Sequence, residues 1–119
     1  MHQSLIVCIA ALLSLTSCSD VVTRTYATLD DARRDRLFER GWLPDILPPS
    51  ARQIRVSSDL DVNTADGEFS LDPEHFSVFT ERLRPRKDGS FEFSVERNTW
   101  VFTCDSSHTH CHYSMRLKT

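Results

Sequence analysis

A histidine-rich stretch near the C-terminal end carries the residues best suited to chemistry. The chain places Asp105, His108, His110, Cys111 and His112 within one short segment. Imidazole and thiolate groups are good ligands for zinc and copper, and histidines two residues apart share one face of a strand. The spacing matches no standard zinc finger. We therefore expect a solvated hairpin tip with no resident metal, and a zinc or copper site at these histidines is the alternative.

A second group that could do chemistry consists of carboxylates: Asp59, Asp61, Asp66 and Glu68. Two carboxylates act as acid and base in a hydrolase when they are held several ångströms apart with different pKa values. Proximity in a loop provides neither condition, and the chain has no Gly-x-Ser-x-Gly or His-Glu-x-x-His motif. We expect no catalytic residue and no enzyme activity. The alternative is a hydrolase with Asp59, Asp61 or Glu68 as acid and base, and the four carboxylates together are also a candidate binding surface.

Composition limits the function further. The 119 residues, 13.7 kDa in mass, allow one small domain. A net charge of −3 and a pI near 5.9 argue against nucleic-acid binding, which depends on neutralising phosphates. The three glycines, Gly41, Gly67 and Gly89, are too far apart to form a phosphate-binding loop. We expect neither a nucleic-acid partner nor a cofactor.

The N-terminal segment predicts export. Leu5 to Leu15 is almost wholly apolar, too short to span a bilayer but typical of a signal-peptide core. The following tetrad, Leu15-Thr16-Ser17-Cys18, resembles a bacterial lipobox, which implies cleavage before Cys18 and attachment of acyl chains to it. The predicted organisation is a lipoprotein signal peptide at 1–17, a polar tether at 18–27 and a single domain at 28–119.

Lipid attachment predicts where the protein is found. Two or three acyl chains hold a domain at a membrane without a protein span. Ser19 follows the lipid cysteine, and by analogy with the enterobacterial sorting rule this favours the periplasmic face of the outer membrane. We expect a protein of the bacterial cell envelope, with the membrane and an envelope protein as partners. The hydrolase alternative would act on envelope polymers.

Cysteine usage predicts a disulfide. Of the four cysteines, Cys8 leaves with the signal peptide and Cys18 carries the lipid, so Cys104 and Cys111 remain as a pair. An oxidising compartment would join them.

Alternating residues on both sides of this pair predict a hairpin. Pairing the two cysteines places Phe102 opposite Tyr113 and Trp100 opposite Met115, all on the cysteine face. A tight turn at Arg97-Asn98 would add a strand that contains Phe91, Phe93 and Val95, with Val95 opposite Trp100. The sequence therefore predicts a three-stranded C-terminal meander with an aromatic inner face.

Two helices are predicted ahead of the meander. Thr28 caps a helix that runs to about Arg40 and ends at Gly41. A second helix starts at Asp72-Pro73 and runs to about Leu83. Strands at Arg52 to Ser57 and Glu68 to Leu71 pair between them. The expected fold is a small α+β domain with two helices packed on a mainly antiparallel sheet, in the order α-β-β-α-β-β-β.

The segment from Trp42 to Pro49 is apolar and rich in proline. Pro44 and Pro48 exclude a continuous helix or a central strand. Trp42, with Ile46 and Leu47, is expected to pack on the sheet, and a docking corner for a partner is the alternative.

Three blocks in the first two thirds of the chain resemble a known family. They are Glu39-Arg40-Gly41-Trp42-Leu43-Pro44 with the residues up to Ile54, Asp59-Leu60-Asp61-Val62-Asn63, and Phe69-Ser70-Leu71-Asp72-Pro73. They resemble the YbbD head type of small bacterial lipoprotein domain, over roughly residues 25–83. The resemblance implies an envelope domain and supplies no catalytic residues. The predicted function is that of a lipid-anchored envelope protein that acts as a non-catalytic binding or interaction module.

Overall fold

A computed structural model describes residues 20–117, and within them the chain forms one sheet of seven antiparallel strands. The predicted signal peptide and Cys18 lie outside the described residues. The strands are β1 (Val21–Thr28), β2 (Arg52–Asp59), β3 (Thr64–Ser70), β4 (Arg84–Pro85), β5 (Phe91–Val95), β6 (Asn98–Cys104) and β7 (His110–Leu117). The helices are α1 (Leu29–Arg34) and α2 (Phe76–Glu81), with a 3-10 turn at Pro73–His75 before α2.

The strand order in the sheet is β1-β2-β3-β7-β6-β5-β4. Strands β1, β2 and β3 form one half of the sheet, and β7, β6, β5 and β4 form the other. The pairing of β3 with β7 joins the two halves. This pairing joins residues at least 40 positions apart in the chain, such as Phe69 and Cys111. The central contact of the fold is therefore non-local.

The predicted α+β class is wrong. The described chain is dominated by a single antiparallel sheet, and α1 and α2 each contain only six residues. Neither helix is long enough to form a layer across seven strands. The order α-β-β-α-β-β-β also omits β1 at the start and the two-residue edge strand β4.

The predicted tether is wrong for residues 21–27, because these residues form most of β1. The segment contains Val21, Val22, Thr23 and Thr25, whose branched β-carbons favour extended backbone. Strand β1 pairs with β2 along its length, from Val21 opposite Asp59 to Thr28 opposite Arg52. The sheet therefore includes residues 21–27, which precede the predicted start of the domain at residue 28.

Helix α1 starts at the predicted cap but is half as long as predicted. The Thr28 side chain accepts a hydrogen bond from the Asp31 amide at 3.1 Å, as an N-cap should. The helix ends at Arg34, and Arg36 takes a left-handed backbone conformation with φ of 59°. Asp35 is held by the Tyr26 hydroxyl and by Arg40, so contacts with β1 and with the following loop replace the next helical turn.

The β6–β7 hairpin has the predicted register. Cys104 lies opposite Cys111, Phe102 opposite Tyr113 and Trp100 opposite Met115. The structure contains the Cys104–Cys111 disulfide.

The β5–β6 register differs from the prediction by two residues. Val95 pairs with Asn98 and Phe93 with Trp100, because the turn is at Glu96-Arg97, where Glu96 adopts φ of 55°. A shift of two residues keeps every side chain on its predicted face. The predicted three-stranded meander with an aromatic inner face is therefore correct, although the β5–β6 register is not.

Alternation along the strands gives the sheet two unlike faces. One face, here called the covered face, carries the hydrophobic core and is packed against α1 and α2. Phe69 and Phe102 lie at its centre, and Phe79 of α2 meets both in edge-on contacts, with ring centroids 5.7 and 5.3 Å away. The opposite face, here called the open face, carries polar and charged side chains, including Arg55, Asp66, Glu68, His110 and His112.

Candidate functional site

Three of the described side chains are close enough to bind one ion jointly: Glu68, His110 and His112. His110 and His112 are two residues apart on β7, so both point to the open face. Glu68 of β3 lies directly opposite His112. One donor atom from each of the three residues lies within 4.8 Å of the others. We call these residues the His-Glu cluster.

Within the cluster the Glu68 carboxylate lies between the two imidazoles. Its Oε2 is 3.0 Å from Nε2 of His112 and 3.8 Å from Nε2 of His110. The imidazole rings are edge to face, with centroids 4.8 Å apart. About a third of the Glu68 and His110 side chains is exposed, and nearly two thirds of His112. The cluster is therefore accessible to solvent but partly shielded by its strands.

Arg55 of β2 is the charged neighbour of the cluster. It is opposite Glu68 in the β2–β3 register, and its guanidinium is 3.5 Å from the same Oε2 and 3.8 Å from Asp66. Partial desolvation raises the pKa of Glu68, but Arg55 and the two histidines outweigh it, so the pKa lies below its usual value. Glu68 is thus an ionised acceptor at neutral pH and is poorly suited to act as a general acid.

The predicted histidine group is divided by the fold. His108 sits in the loop between β6 and β7 and stacks flat on Phe76, with ring centroids 3.7 Å apart. Asp105 closes the same loop, where its carboxylate accepts hydrogen bonds from the backbone N–H groups of Thr109 and His110 at 3.0 and 3.2 Å. Cys111 is in the disulfide. Of the predicted group, only the side chains of His110 and His112 contact each other.

The predicted carboxylate group is divided as well. Asp59 and Asp61 lie at the end of β2 and in the following turn, where the Asp59 carboxylate accepts a hydrogen bond from the Asp61 amide. A hydrogen bond with Asp20, followed by slight desolvation and the nearby Asp59, raises the pKa of Asp61. Asp66 and Glu68 face Arg55 in the middle of the sheet.

The proline-rich corner belongs mainly to the core. Leu43 and Leu47 are buried, and Trp42 and Ile46 are partly buried against the core. The Trp42 carbonyl accepts a hydrogen bond from the indole N–H of Trp100 at 3.0 Å. The predicted packing of this corner on the sheet is confirmed.

A second polar cluster lies at the edge of the covered face. The Asp35 carboxylate accepts hydrogen bonds from the Tyr26 hydroxyl at 2.5 Å and from Arg40 at 3.2 Å. These bonds lower the pKa of Asp35, while burial and the Asp35 charge raise the pKa of Tyr26. Each polar group has a partner, so the cluster serves to hold the end of α1 against β1.

Sequence reasoning missed the role of Glu68 beside the histidines. The missing step was the neighbour relation of β3 and β7, which no local pattern reveals. The useful signal was the alternation itself, since Glu68 and His112 both lie on the polar side of strands whose apolar sides are aromatic.

The fold and the cluster together define a small domain built on a one-sided antiparallel sheet, with an accessible group of ligating side chains on its open face. Residues 20–70 match the family model of the YbbD head domain. This match agrees with the resemblance predicted from the sequence motifs, and a domain of this kind suggests a bacterial envelope-associated protein. No curated protein and no solved structure matches the chain.

The matched segment covers β1, α1, β2 and β3. It includes Glu68 and Arg55 but ends before the strands that carry the histidines and the disulfide. The His-Glu cluster thus joins the family segment to the C-terminal strands. Within residues 20–117, no helix combines the length and the apolar character needed to cross a membrane.

Proposed function

We propose that the protein is anchored in the bacterial envelope by acyl chains on Cys18 and acts there by binding an envelope protein, without catalysis. The lipobox-like tetrad and the YbbD head domain support the envelope location. Asp66 and Glu68 are both paired with Arg55, and the lowered pKa of Glu68 makes it a poor general acid, which supports a binding role over hydrolysis.

The observation that carries the proposal is the direction of the sheet relative to Cys18. Only Ser19 and Asp20 separate Cys18 from Val21, the first residue of β1. Val21 pairs with Asp59, and Asp59 pairs with Thr64, so the β2–β3 turn lies at the same end of the sheet. A lipid on Cys18 would hold this end close to the membrane.

The opposite end of the sheet carries the disulfide hairpin. Thr28 pairs with Arg52, Arg52 with Ser70, and Ser70 with His110, which precedes the disulfide residue Cys111. An eight-residue strand is roughly 25 Å long. The loop at 105–109 would therefore be presented away from the membrane, in the position suited to a partner.

The anchor is tested with two cysteine substitutions in the native host. Cys18→Ser should leave an unprocessed chain without acyl mass, whereas Cys8→Ser, in the predicted leader, should be processed and lipidated like the wild type. Intact-mass spectrometry of the membrane fraction gives the result. A wild-type chain that retains Met1 and carries no lipid would overturn the proposal.

The binding role is tested with a photo-crosslinking amino acid at two exposed positions. Ser106 lies in the disulfide loop and Val62 in the β2–β3 turn at the other end of the sheet. We expect a discrete crosslinked protein from Ser106 in intact cells, absent from the Val62 variant and lost when Cys18→Ser is added. Equal labelling from both positions, or none from Ser106, would contradict a partner at the membrane-distal end.

A further inference from the structure

We propose that the His-Glu cluster is a binding site for one divalent transition-metal ion, with zinc or copper as the metals its donors favour. The inference is independent of the lipid anchor and of any protein partner. It rests on three side chains that two non-adjacent segments of the chain bring to one point of the open face.

The donor set suits such a metal. Two imidazoles and one carboxylate form a common three-ligand zinc site, in which the fourth position is left to water or another ligand. Imidazole nitrogen also favours copper and zinc over magnesium and calcium, which prefer oxygen ligands. The donor chemistry therefore selects for a transition metal.

The geometry requires little movement. Zinc ligands at about 2.0 to 2.1 Å from a tetrahedral metal lie about 3.3 Å from each other. The Glu68 carboxylate is already 3.0 Å from the His112 imidazole and 3.8 Å from that of His110. All three donor atoms lie within 4.8 Å of one another, so rotations of these partly exposed side chains would bring them to a single ion. The backbone of β3 and β7 holds their starting positions through ladder hydrogen bonds.

Arg55 opposes metal binding at this site. Its guanidinium is 3.5 Å from the Glu68 oxygen that also faces both histidines. A metal ion would compete with this positive charge for Glu68, while Asp66 remains available to Arg55 at 3.8 Å. Removal of the guanidinium should therefore strengthen metal binding. A cluster that served only as a set of ion pairs would show no such gain.

The test is a titration of the metal-free full chain with Zn²⁺ alone, in which calorimetry measures the affinity and the number of ions bound. We expect one ion per chain, with affinity at least tenfold weaker in His112→Ala and in Glu68→Gln. Arg55→Gln should bind several-fold more tightly than the wild type. His108→Asn is the matched control, because it removes a histidine of the same hairpin but not of the cluster, and asparagine tolerates the φ of 60° found there. Its affinity should be within about twofold of the wild type.

A spectroscopic measurement separates loss of the site from loss of the fold. Co²⁺ should give the visible absorption of a tetrahedral site, and Zn²⁺ should shift the imidazole NMR signals of His110 and His112 but not those of His75. Absence of saturable Zn²⁺ binding by the wild type would overturn the inference. So would full binding by a folded His112→Ala variant, or loss of binding in His108→Asn.

Discussion

The two faces of the sheet use the same strands for different purposes. On the covered face Phe69, Phe79 and Phe102 are essentially inaccessible to solvent and meet edge to face. On the open face Arg55 and Glu68 lie between neighbouring strands and remain partly exposed. Packing on the covered face provides the stability, so the open face is free to arrange ligating groups whose individual contribution to folding is small.

The largest expected effect comes from the centre of the covered face. Phe102→Ala would leave a cavity between Phe69, Phe79 and Tyr113, with a loss of about 3 to 5 kcal/mol in the free energy of unfolding. Thr103→Ala, whose side chain is exposed on the open face, should change this free energy by less than about 0.5 kcal/mol. Urea unfolding measures both. Similar losses of unfolding free energy in the two variants would contradict the claim that the covered face provides most of the stability.

The disulfide is expected to have the next largest effect. Replacing both Cys104 and Cys111 by serine removes a cross-link that closes a short loop, at a cost of roughly 2 to 3 kcal/mol in the chain-entropy model. Thermal unfolding of the wild type, with and without reductant, measures the same loss of stability without a substitution. The double variant should be insensitive to reductant, and a wild type that is equally insensitive would show that the bond contributes nothing.

Gly67 tests how closely β2 and β3 approach each other on the covered face. A Cβ atom at this position would lie only 1.9 Å from the backbone oxygen of Arg55 and 2.7 Å from the Tyr113 hydroxyl. Gly67→Ala must displace β2, and we expect a loss of about 1 to 3 kcal/mol. Asp66→Ala, one residue earlier and facing the open side, is the control and should unfold nearly like the wild type. A neutral Gly67→Ala would mean that β2 moves freely.

The smallest expected effect concerns acid pH and the open face. Because the pKa of folded Glu68 lies below its unfolded value, the ionised group stabilises the fold above the unfolded pKa. That stabilisation is lost as the pH falls through the folded pKa. Glu68→Gln should therefore lose less stability than the wild type between neutral pH and pH 3.

Chemical denaturation at several pH values measures this difference. Glu74→Gln, an exposed position in the 3-10 turn, should follow the wild type. If Glu68→Gln also follows the wild type, then Glu68 is not tied to Arg55 in solution.

The errors in the expected fold have physical causes that can be named. The stripe formed by Leu29, Ala32 and Leu37 is compatible with a long helix, and all three are buried. Yet the chain leaves the helix after Arg34, because Asp35 is bound by Tyr26 and Arg40. A contact with another strand outweighs a weak local preference.

The β5–β6 turn shows the same competition on a smaller scale. Asn98 is the residue type that turns favour, but Glu96 adopts the left-handed conformation and Asn98 enters β6. The resulting pairing places Phe93 opposite Trp100 and Phe91 opposite Phe102. Local turn preference predicted the hairpin but placed its turn one residue too late.

The amino-acid sequence alone determined the local features of this protein. The register of Cys104 with Cys111, the aromatic side of the meander and the cap at Thr28 all depend on residues close together in the chain. Tertiary structure decided the pairing of β1 with β2 and the meeting of Glu68 with His112. These features join segments far apart in the chain, and their energies come from contacts that exist only after the whole sheet has formed.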